Sequence, residues 1–295
     1  MHSVISYPDR GPWGDAKWRG NCSGHVYKDL FLQLKPTSFC DPMVGSGTSV
    51  QVAQEMGIRA WGFDLHQSFN AISDSILLAT GEQVDMCLSH PPYGGMIQYS
   101  ANVWGTQAHP DDLSRCNSEN EFHEKMQLVL LNQRDATKPN GFYGTIIGDY
   151  RKNGVYTSYQ AEMIARLPSD ELAAVIIKQQ HNCVSDSRQY SRLTLPRIMH
   201  EYVLLWQKKS KHILVLLSNI AQQQKSRVVG TWKSIVGLVL QRLGGKANLA
   251  EIYQEVSRAA PERLASNPNW QAKVRQVLNS TGLFASSERG VWQLA

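Results

Sequence analysis

Three short stretches bring together residue types whose spacing could do chemistry. In "CDPMVGSGTSV", Asp41 and Pro42 close an apolar run, and Gly45, Ser46, Gly47 and Thr48 follow just ahead of a helical pattern. Glycines at a strand-to-helix turn let the backbone approach a ligand closely, and the first turn of a helix offers unpaired amides. The lysine of a phosphate-binding GxxxxGK[ST] loop is missing and position 50 is Val, so the stretch is neither that loop nor GxGxxG. In "RAWGFDL", Asp64 ends the next apolar run, where a carboxylate can accept hydrogen bonds from both hydroxyls of a ribose or, alternatively, cap a helix. In "VDMCLSHPPY", the residues His90, Pro91, Pro92 and Tyr93 leave a third run. The prolines stiffen the backbone and leave carbonyls free as acceptors, and the tyrosine offers a flat face to a planar ring. Alone, the tetrapeptide also reads as a proline-rich turn with a core tyrosine.

These residues need a scaffold that brings strand ends together. Short apolar runs alternate with helical stretches from about residue 20 to 206: "PTSFCDPMV", "RAWGFDL", "VDMCLSHPP", "GFYGTIIGDY", "LAAVIIKQQ" and "HEYVLLWQ" are the strands. The helical "ENEFHEKMQLVLLNQR" aligns Phe122, Met126, Val129 and Leu130 on one face. Strands alternating with helices predict a mainly parallel sheet covered on both sides. The last two strands are separated only by a loop, so they are expected to be antiparallel. In such a sheet ligands bind at the carboxyl ends of the strands, which places glycine loop and ledge side by side.

A different architecture follows. Residues 207–228 hold five basic and no acidic residues and read as a connecting helix or linker. From 229 the pattern is three helices and a hairpin: an apolar face of Ile235, Val236, Val239, Leu240 and Leu243 stopped by Gly244 and Gly245, then "NLAEIYQEVSRA", then a helix capped by Asn267. "LFASSERGVWQL" supplies two strands around a Ser-Glu-Arg-Gly turn, and the whole predicts a winged helix. From Gln207 onward there are 13 Lys/Arg against 4 Asp/Glu, whereas residues 1–206 carry 17 against 21. Such an asymmetry suits a tail that meets a polyanion.

Taken together, "DPMVGSGTS", "GFD" and "SHPPY", in this order and spacing, resemble the DNA amino-methyltransferases, which methylate adenine at its 6-amino or cytosine at its 4-amino group. "GFYGTIIGDYRKNGVY" and "RIMHEYVLLWQKK" are similar to that family's later strands, and "WRGNCSGHV" resembles its segment closing over the cofactor. The motif order is similar to the family's gamma type. The resemblance implies a Rossmann-like S-adenosylmethionine-dependent methyltransferase sheet with an antiparallel last strand over 1–209, joined through 210–228 to the winged helix of 229–295. It implies that Asp41, Pro42, Gly45, Ser46, Gly47 and Thr48 hold the methionine part of S-adenosylmethionine, Asp64 its ribose, and Asp74 or its neighbours the adenine edge. His90, with Pro91, Pro92 and Tyr93, would form the catalytic ledge, although the family has Asp, Asn or Ser where His90 stands.

Acceptors at His90 and the Pro91 carbonyl would hold the two amine protons out of plane and aim the nitrogen lone pair at the methyl group, while Tyr93 stacks on the flipped base. A neutral imidazole has one acceptor nitrogen, so activity is predicted to fall below about pH 6.5. Carbon-5 methylation is disfavoured, because it needs a cysteine after a proline and the chain has no Pro-Cys pair. The expected partner is double-stranded DNA, contacted by Gln271, Lys273, Arg275 and Gln276 on the third tail helix and Arg289 on the wing. The loops 183–197 and 99–116 are further candidates to grip DNA around the flipped base. A homodimer and an associated restriction endonuclease are compatible with this reading. Two alternatives are an RNA amino-methyltransferase and a winged-helix DNA-binding regulator with a degenerate cofactor domain.

Composition sets the remaining bounds. Five widely spaced cysteines without a CxxC pair predict no disulfide framework and no thiolate metal site. No apolar run approaches the roughly 20 residues that cross a bilayer, and no signal-peptide pattern opens the sequence, so the expected compartment is the cytosol, with no membrane contact.

Overall fold

The structure, a computed structural model, describes residues 1–181, 195–209, 213–259, 264, 268–279 and 282–294. It forms two compact units, Met1–His212 and Ile213–Ala295.

The first unit is built on a seven-stranded sheet. Its strands are β1 (Val4–Ser6), β2 (Ser38–Asp41), β3 (Arg59–Gly62), β4 (Val84–Ser89), β5 (Thr137–Ile147), and, after the hairpin β6 (Tyr150–Lys152) and β7 (Val155–Thr157), β8 (Leu172–Gln179) and β9 (His200–Gln207). The order across the sheet is β1-β8-β9-β5-β4-β2-β3. Only β9 opposes its neighbours β5 and β8; every other pair in this sheet is parallel. The α/β architecture and its antiparallel last strand are therefore as expected. The edge strand β1, parallel to β8 with Ile5 beside Lys178, was not anticipated. Three residues are too few for a period to register.

Both faces are covered, and residues of single strands alternate between two cores. Phe142 and Ile146 of β5, with Val203 and Leu205 of β9, join Val26, Leu30 and Phe31 of α1 (Gly24–Leu34) and Val52 of α2 (Thr48–Glu55). Tyr143, Ile147, Leu204 and Trp206 face the other way, onto Phe122, Met126, Val129 and Leu130 of α4 (Glu119–Ala136) and Tyr159 and Met163 of α5 (Tyr159–Arg166). Ser118 starts α4 by accepting a hydrogen bond from Glu121 N at 3.1 Å, one of the four amides a helix start leaves unpaired.

Between β3 and β4 the chain spends only a turn and α3 (Ile76–Thr80), with no strand. β2 lies between β3 and β4, with Phe39 beside Met86 and Cys40 beside Cys87. The chain order reverses at this point, which is where an open α/β sheet leaves a crevice at its carboxyl edge.

In the second unit, α6 (Ile213–Arg242) is followed by β10 (Lys246–Asn248), α7 (Leu249–Ala259), α8 (Trp270–Asn279), β11 (Phe284–Glu288) and β12 (Val291–Leu294). β10, β12 and β11 form an antiparallel sheet in that order. Val236, Leu240, Ile252, Val256, Val274, Val277 and Phe284 share one core. From 213 the expected linker runs unbroken into the next helix, because no proline or glycine stands between 213 and 229 to stop it. Residues 210–212, Asn267 and the loop portion 182–194, Cys183 included, lie outside the described residues. The other four cysteines are free. Among the described residues no helix is long and apolar enough to cross a membrane.

Candidate active site

The glycine loop starts where β2 stops. Asp41 is buried at the strand end and clamps the turn: its Oδ1 accepts from Met43 N at 2.9 Å and its Oδ2 from the Ser49 hydroxyl at 2.6 Å. Burial drives its pKa up to about 7, with those two hydrogen bonds opposing the rise and the Asp64 charge adding to it. Gly45 has φ 51, and a Cβ there would come within 3.0 Å of Trp18 Nε1, so the position tolerates only glycine without displacing the indole.

Asp64 extends from β3 to the same loop. Its Oδ2 accepts from Gly45 N at 2.9 Å, and its Oδ1 accepts from His66 N at 3.2 Å with His66 Nδ1 2.7 Å away. Asp64 caps a helical turn, as one of its sequence readings has it, and it also lines the cleft. Asp74 does not line the cleft. It is turned back onto its own loop, where its Oδ2 accepts from Asn70 N at 2.8 Å and its amide donates to Asn70 O at 2.7 Å. Its neighbours Phe69, Asn70, Ala71 and Ile72 line the cleft instead, with Phe69 stacked 4.7 Å from Phe63.

The cleft encloses about 850 Å³, part of it open to solvent. Asp41, Pro42, Gly45, Ser46, Thr48 and Asp64 line it, together with His90 and Pro92 of the ledge. Gly47 is not among the lining residues: with φ 92 it is the N-cap of α2, and its amide is spent on Val44 O at 2.9 Å. Pro91 is buried beside the cleft. Tyr93, expected to face a planar base, lies outside the lining. Its ring rests on Gly148, where a Cβ would approach Tyr93 Cε2 to 2.7 Å, and its hydroxyl meets His90 Nε2 at 2.7 Å. Burial pushes the His90 pKa down to about 4, with Glu201 opposing and Lys178 adding to the fall. The imidazole is therefore neutral well below pH 6.5, which moves the expected loss of activity to lower pH.

Two further segments complete the walls. Trp18, Gly20, Asn21 and Cys22 come from the N-terminal stretch, whose Asn21 Oδ1 accepts from the Thr48 hydroxyl at 2.6 Å. Tyr99, Trp104 and Asp111 come from the loop after the ledge, and the Tyr99 hydroxyl donates to Arg19 O at 3.1 Å, joining the two segments. The sequence had marked both stretches, the first as a closing segment and the second for its aromatics, without singling out these residues.

The lining fits a cationic, ring-bearing ligand. Asp41, Asp64, Asp111 and Asp112 contribute to it and no Lys or Arg does, which opposes a polyphosphate and favours a sulfonium and an ammonium group. The Ser46 hydroxyl is buried without a hydrogen-bond partner, a group that a polar ligand end could satisfy. Among the described residues no group of three His, Cys, Asp or Glu side chains could hold a metal ion.

In the second unit Gln271, Arg275 and Gln276 are exposed on α8, and Lys273 is half-buried with its Nζ donating to Gln276 Oε1 at 2.9 Å. Arg289 is exposed in the turn between β11 and β12.

No protein-family profile matches the chain. No curated protein matches it in sequence. Among solved structures, TrmN from Thermus thermophilus aligns at 15% identity and a TM-score of 0.38 over 64% of this chain and 50% of that one. A candidate DNA modification methylase, also from Thermus thermophilus and in complex with S-adenosyl-L-methionine, aligns at 17% identity and a TM-score of 0.32 over 48% of this chain and 54% of that one. An rRNA methylase from Streptococcus thermophilus aligns at 11% identity and a TM-score of 0.34 over 63% of this chain and 96% of that one. The chain thus spans about half the length of the first two. At these scores the functional reading rests on the cleft itself.

Proposed function

We propose that the chain is an S-adenosylmethionine-dependent methyltransferase that modifies the exocyclic amine of a base flipped from double-stranded DNA, cytosine N4 or adenine N6. The observation that carries this reading is the single cleft shared by the glycine loop and the ledge, with Asp41, Ser46, Asp64, His90 and Pro92 all on its walls.

The bound cofactor would supply a methyl group already activated on a sulfonium. Asp64 would take the ribose hydroxyls, Phe69 and Ile72 the adenine, and Asp41, Ser46 and Thr48 with Asn21 the methionine end. A neutral His90 and the Pro91 carbonyl would accept the two amine hydrogens, which localises the nitrogen lone pair and orients it. No strong base is required, because the amine proton becomes acidic only once the new N–C bond has formed. Since Tyr93 is turned toward Gly148, the planar faces available to a flipped base are Tyr99 and Trp104.

The order of elements in the second unit supports the winged-helix reading. On that reading α8 enters the major groove with Gln271, Lys273, Arg275 and Gln276 toward base edges and phosphates, and Arg289 contacts the backbone. Nucleoside mass spectrometry of DNA and RNA from cells expressing the protein, with His90→Ala as control, tests the proposal. An exocyclic N-methyl nucleoside in DNA, absent from the control, is expected. The same mark in RNA alone would replace the substrate, and no mark in either would overturn the reading.

A further inference from the structure

We propose that Asp111, on the loop that follows the ledge, accepts a hydrogen bond from the 6-amino group of the cofactor's adenine, so that the loop facing the target base is also a wall of the cofactor site. The inference rests on the S-adenosylmethionine site proposed above and adds to it a residue from a segment that carries none of the cofactor motifs.

Adenine carries two N–H donors on its 6-amino group, and burying them without acceptors is costly. The wall assigned to the ring is formed by Phe69 and Ile72, with Asn70 and Ala71 between them. That segment has little acceptor capacity of its own. Asp64 O already accepts from Gln67 N and Phe69 N, and Asn70 O from Ser73 N and Asp74 N, which occupies both lone pairs of each carbonyl. Ala71 O accepts from Asn132 Nδ2 at 2.9 Å, and Asn70 Oδ1 from Ile72 N at 3.0 Å.

The carboxylates on the cleft wall differ in place and in capacity. Asp41 and Asp64 are tied to the glycine loop, through Met43 N and Ser49 for the first and Gly45 N for the second, at the ends of β2 and β3. Asp112 is buried and saturated: Ser100 and Ser114 each donate to it from amide and hydroxyl, at 2.6 to 2.8 Å. Asp111 alone among them touches the ring wall, its Oδ2 accepting from Asn70 Nδ2 at 2.8 Å. Its Oδ1 lies 3.4 Å from Lys125 Nζ, an ion pair that favours the charged form. A carboxylate has about four lone-pair sites, so Asp111 keeps room for a further donor.

The same contacts give Asp74 a part to play at one remove. Its Oδ2 accepts from Asn70 N at 2.8 Å, so it holds the asparagine whose amide orients Asp111. On the other side, Asp111 adjoins a tight knot: Asp112 binds Ser100 and Ser114, and Tyr99 N donates to Ser114 Oγ at 3.0 Å. An adenine held by Asp111 therefore docks against the knot that carries Tyr99, one of the planar faces proposed for the flipped base.

The test is titration calorimetry of the full chain with S-adenosylhomocysteine and with S-inosylhomocysteine, in which a ring carbonyl replaces the 6-amino group. The parent chain should prefer the adenosyl compound by about 10- to 100-fold, the scale of one hydrogen bond to a charged group. In Asp111→Asn the preference should fall to about threefold or less, because an amide can donate to the carbonyl as well as accept from the amine. Asp111→Ala should weaken the adenosyl compound by about the parent's preference and leave the inosyl compound unchanged, whereas Asp74→Asn should keep the parent's ratio. Equal affinities in the parent chain, a ratio kept in Asp111→Asn, or a parallel loss of both compounds in Asp111→Ala would overturn the inference. Because these titrations need no nucleic acid, the adenine contact can fail while methyl transfer stands. Ratios as expected in a chain that methylates no nucleic acid would instead overturn the reading of the reaction.

Discussion

The two strand ends that form the cleft are held by different kinds of force. At β2 the loop is organised by its own neighbourhood: Asp41 bonds Met43 and Ser49, Gly45 bonds Asp64, and the glycines turn the chain with positive φ. At β4 the ledge depends on side chains and on a more distant seat: His90 on Tyr93, and the Tyr93 ring on Gly148 just past the β5 end. Both ends also bury an ionisable group that is driven toward neutrality, yet in opposite pKa directions. Asp41 is pushed up to about 7 and His90 down to about 4. On the proposed reading one half of the site binds the cofactor and the other orients the amine, so the halves should come apart under mutation.

The largest separation is expected from His90→Ala. Removing the orienting acceptor should lower single-turnover transfer by about 10²–10³-fold, the scale seen for loss of one preorganised hydrogen-bonding group. Calorimetric affinity for S-adenosylmethionine should change less than about threefold. A matching loss of cofactor binding would erase the distinction between the halves.

The opposed pKa values make a second test in stability. For His90 the unfolded chain, near pKa 6.5, takes up its proton before the native state, near 4. Its contribution is present above pH 6.5 and is lost as pH falls toward 4. For Asp41 the native state, near 7, protonates before the unfolded chain, near 3.8, so its contribution grows as pH falls from 7. Each shift corresponds to a few kcal/mol, on the order of 3, and the two nearly cancel between pH 4 and 6.5. Relative to the parent chain, Asp41→Asn should lose stability on acidification and His90→Asn should gain it, measured as urea midpoints across that range. Parallel curves for all three proteins would show that burial does not set these charges.

A smaller effect is expected in binding. A cationic cofactor favours ionised Asp41, so affinity should rise with pH up to about 7 and level off above it, by at most about tenfold per pH unit for one linked proton. Titration calorimetry in two buffers of different ionisation heat should detect the released proton, and Asp41→Asn should abolish it. The smallest effect falls outside the cleft. Arg275→Ala should reduce the salt dependence of duplex binding by about one unit of log–log slope, roughly the share of one phosphate contact. An unchanged slope would remove α8 from the proposed DNA interface.

What the sequence determined by itself was local. The Gly45–Thr48 turn, the carboxylates closing β2 and β3, the alternation of strands and helices and the stop at Gly244 and Gly245 all follow from backbone sterics and hydrophobic period over a few residues. What only the tertiary structure decided was which side chains face the shared space. Asp74 was drawn away by a bond four residues distant, Tyr93 by an open seat at Gly148, and the cleft took its aromatic walls from Trp18, Tyr99 and Trp104 on two separate segments. The His90 pKa is likewise set first by burial and then by the charge of Glu201, more than a hundred residues further along the chain. Hydrogen-bond partners and burial are properties of neighbours in space, and a single sequence specifies those only through the packing of the whole sheet.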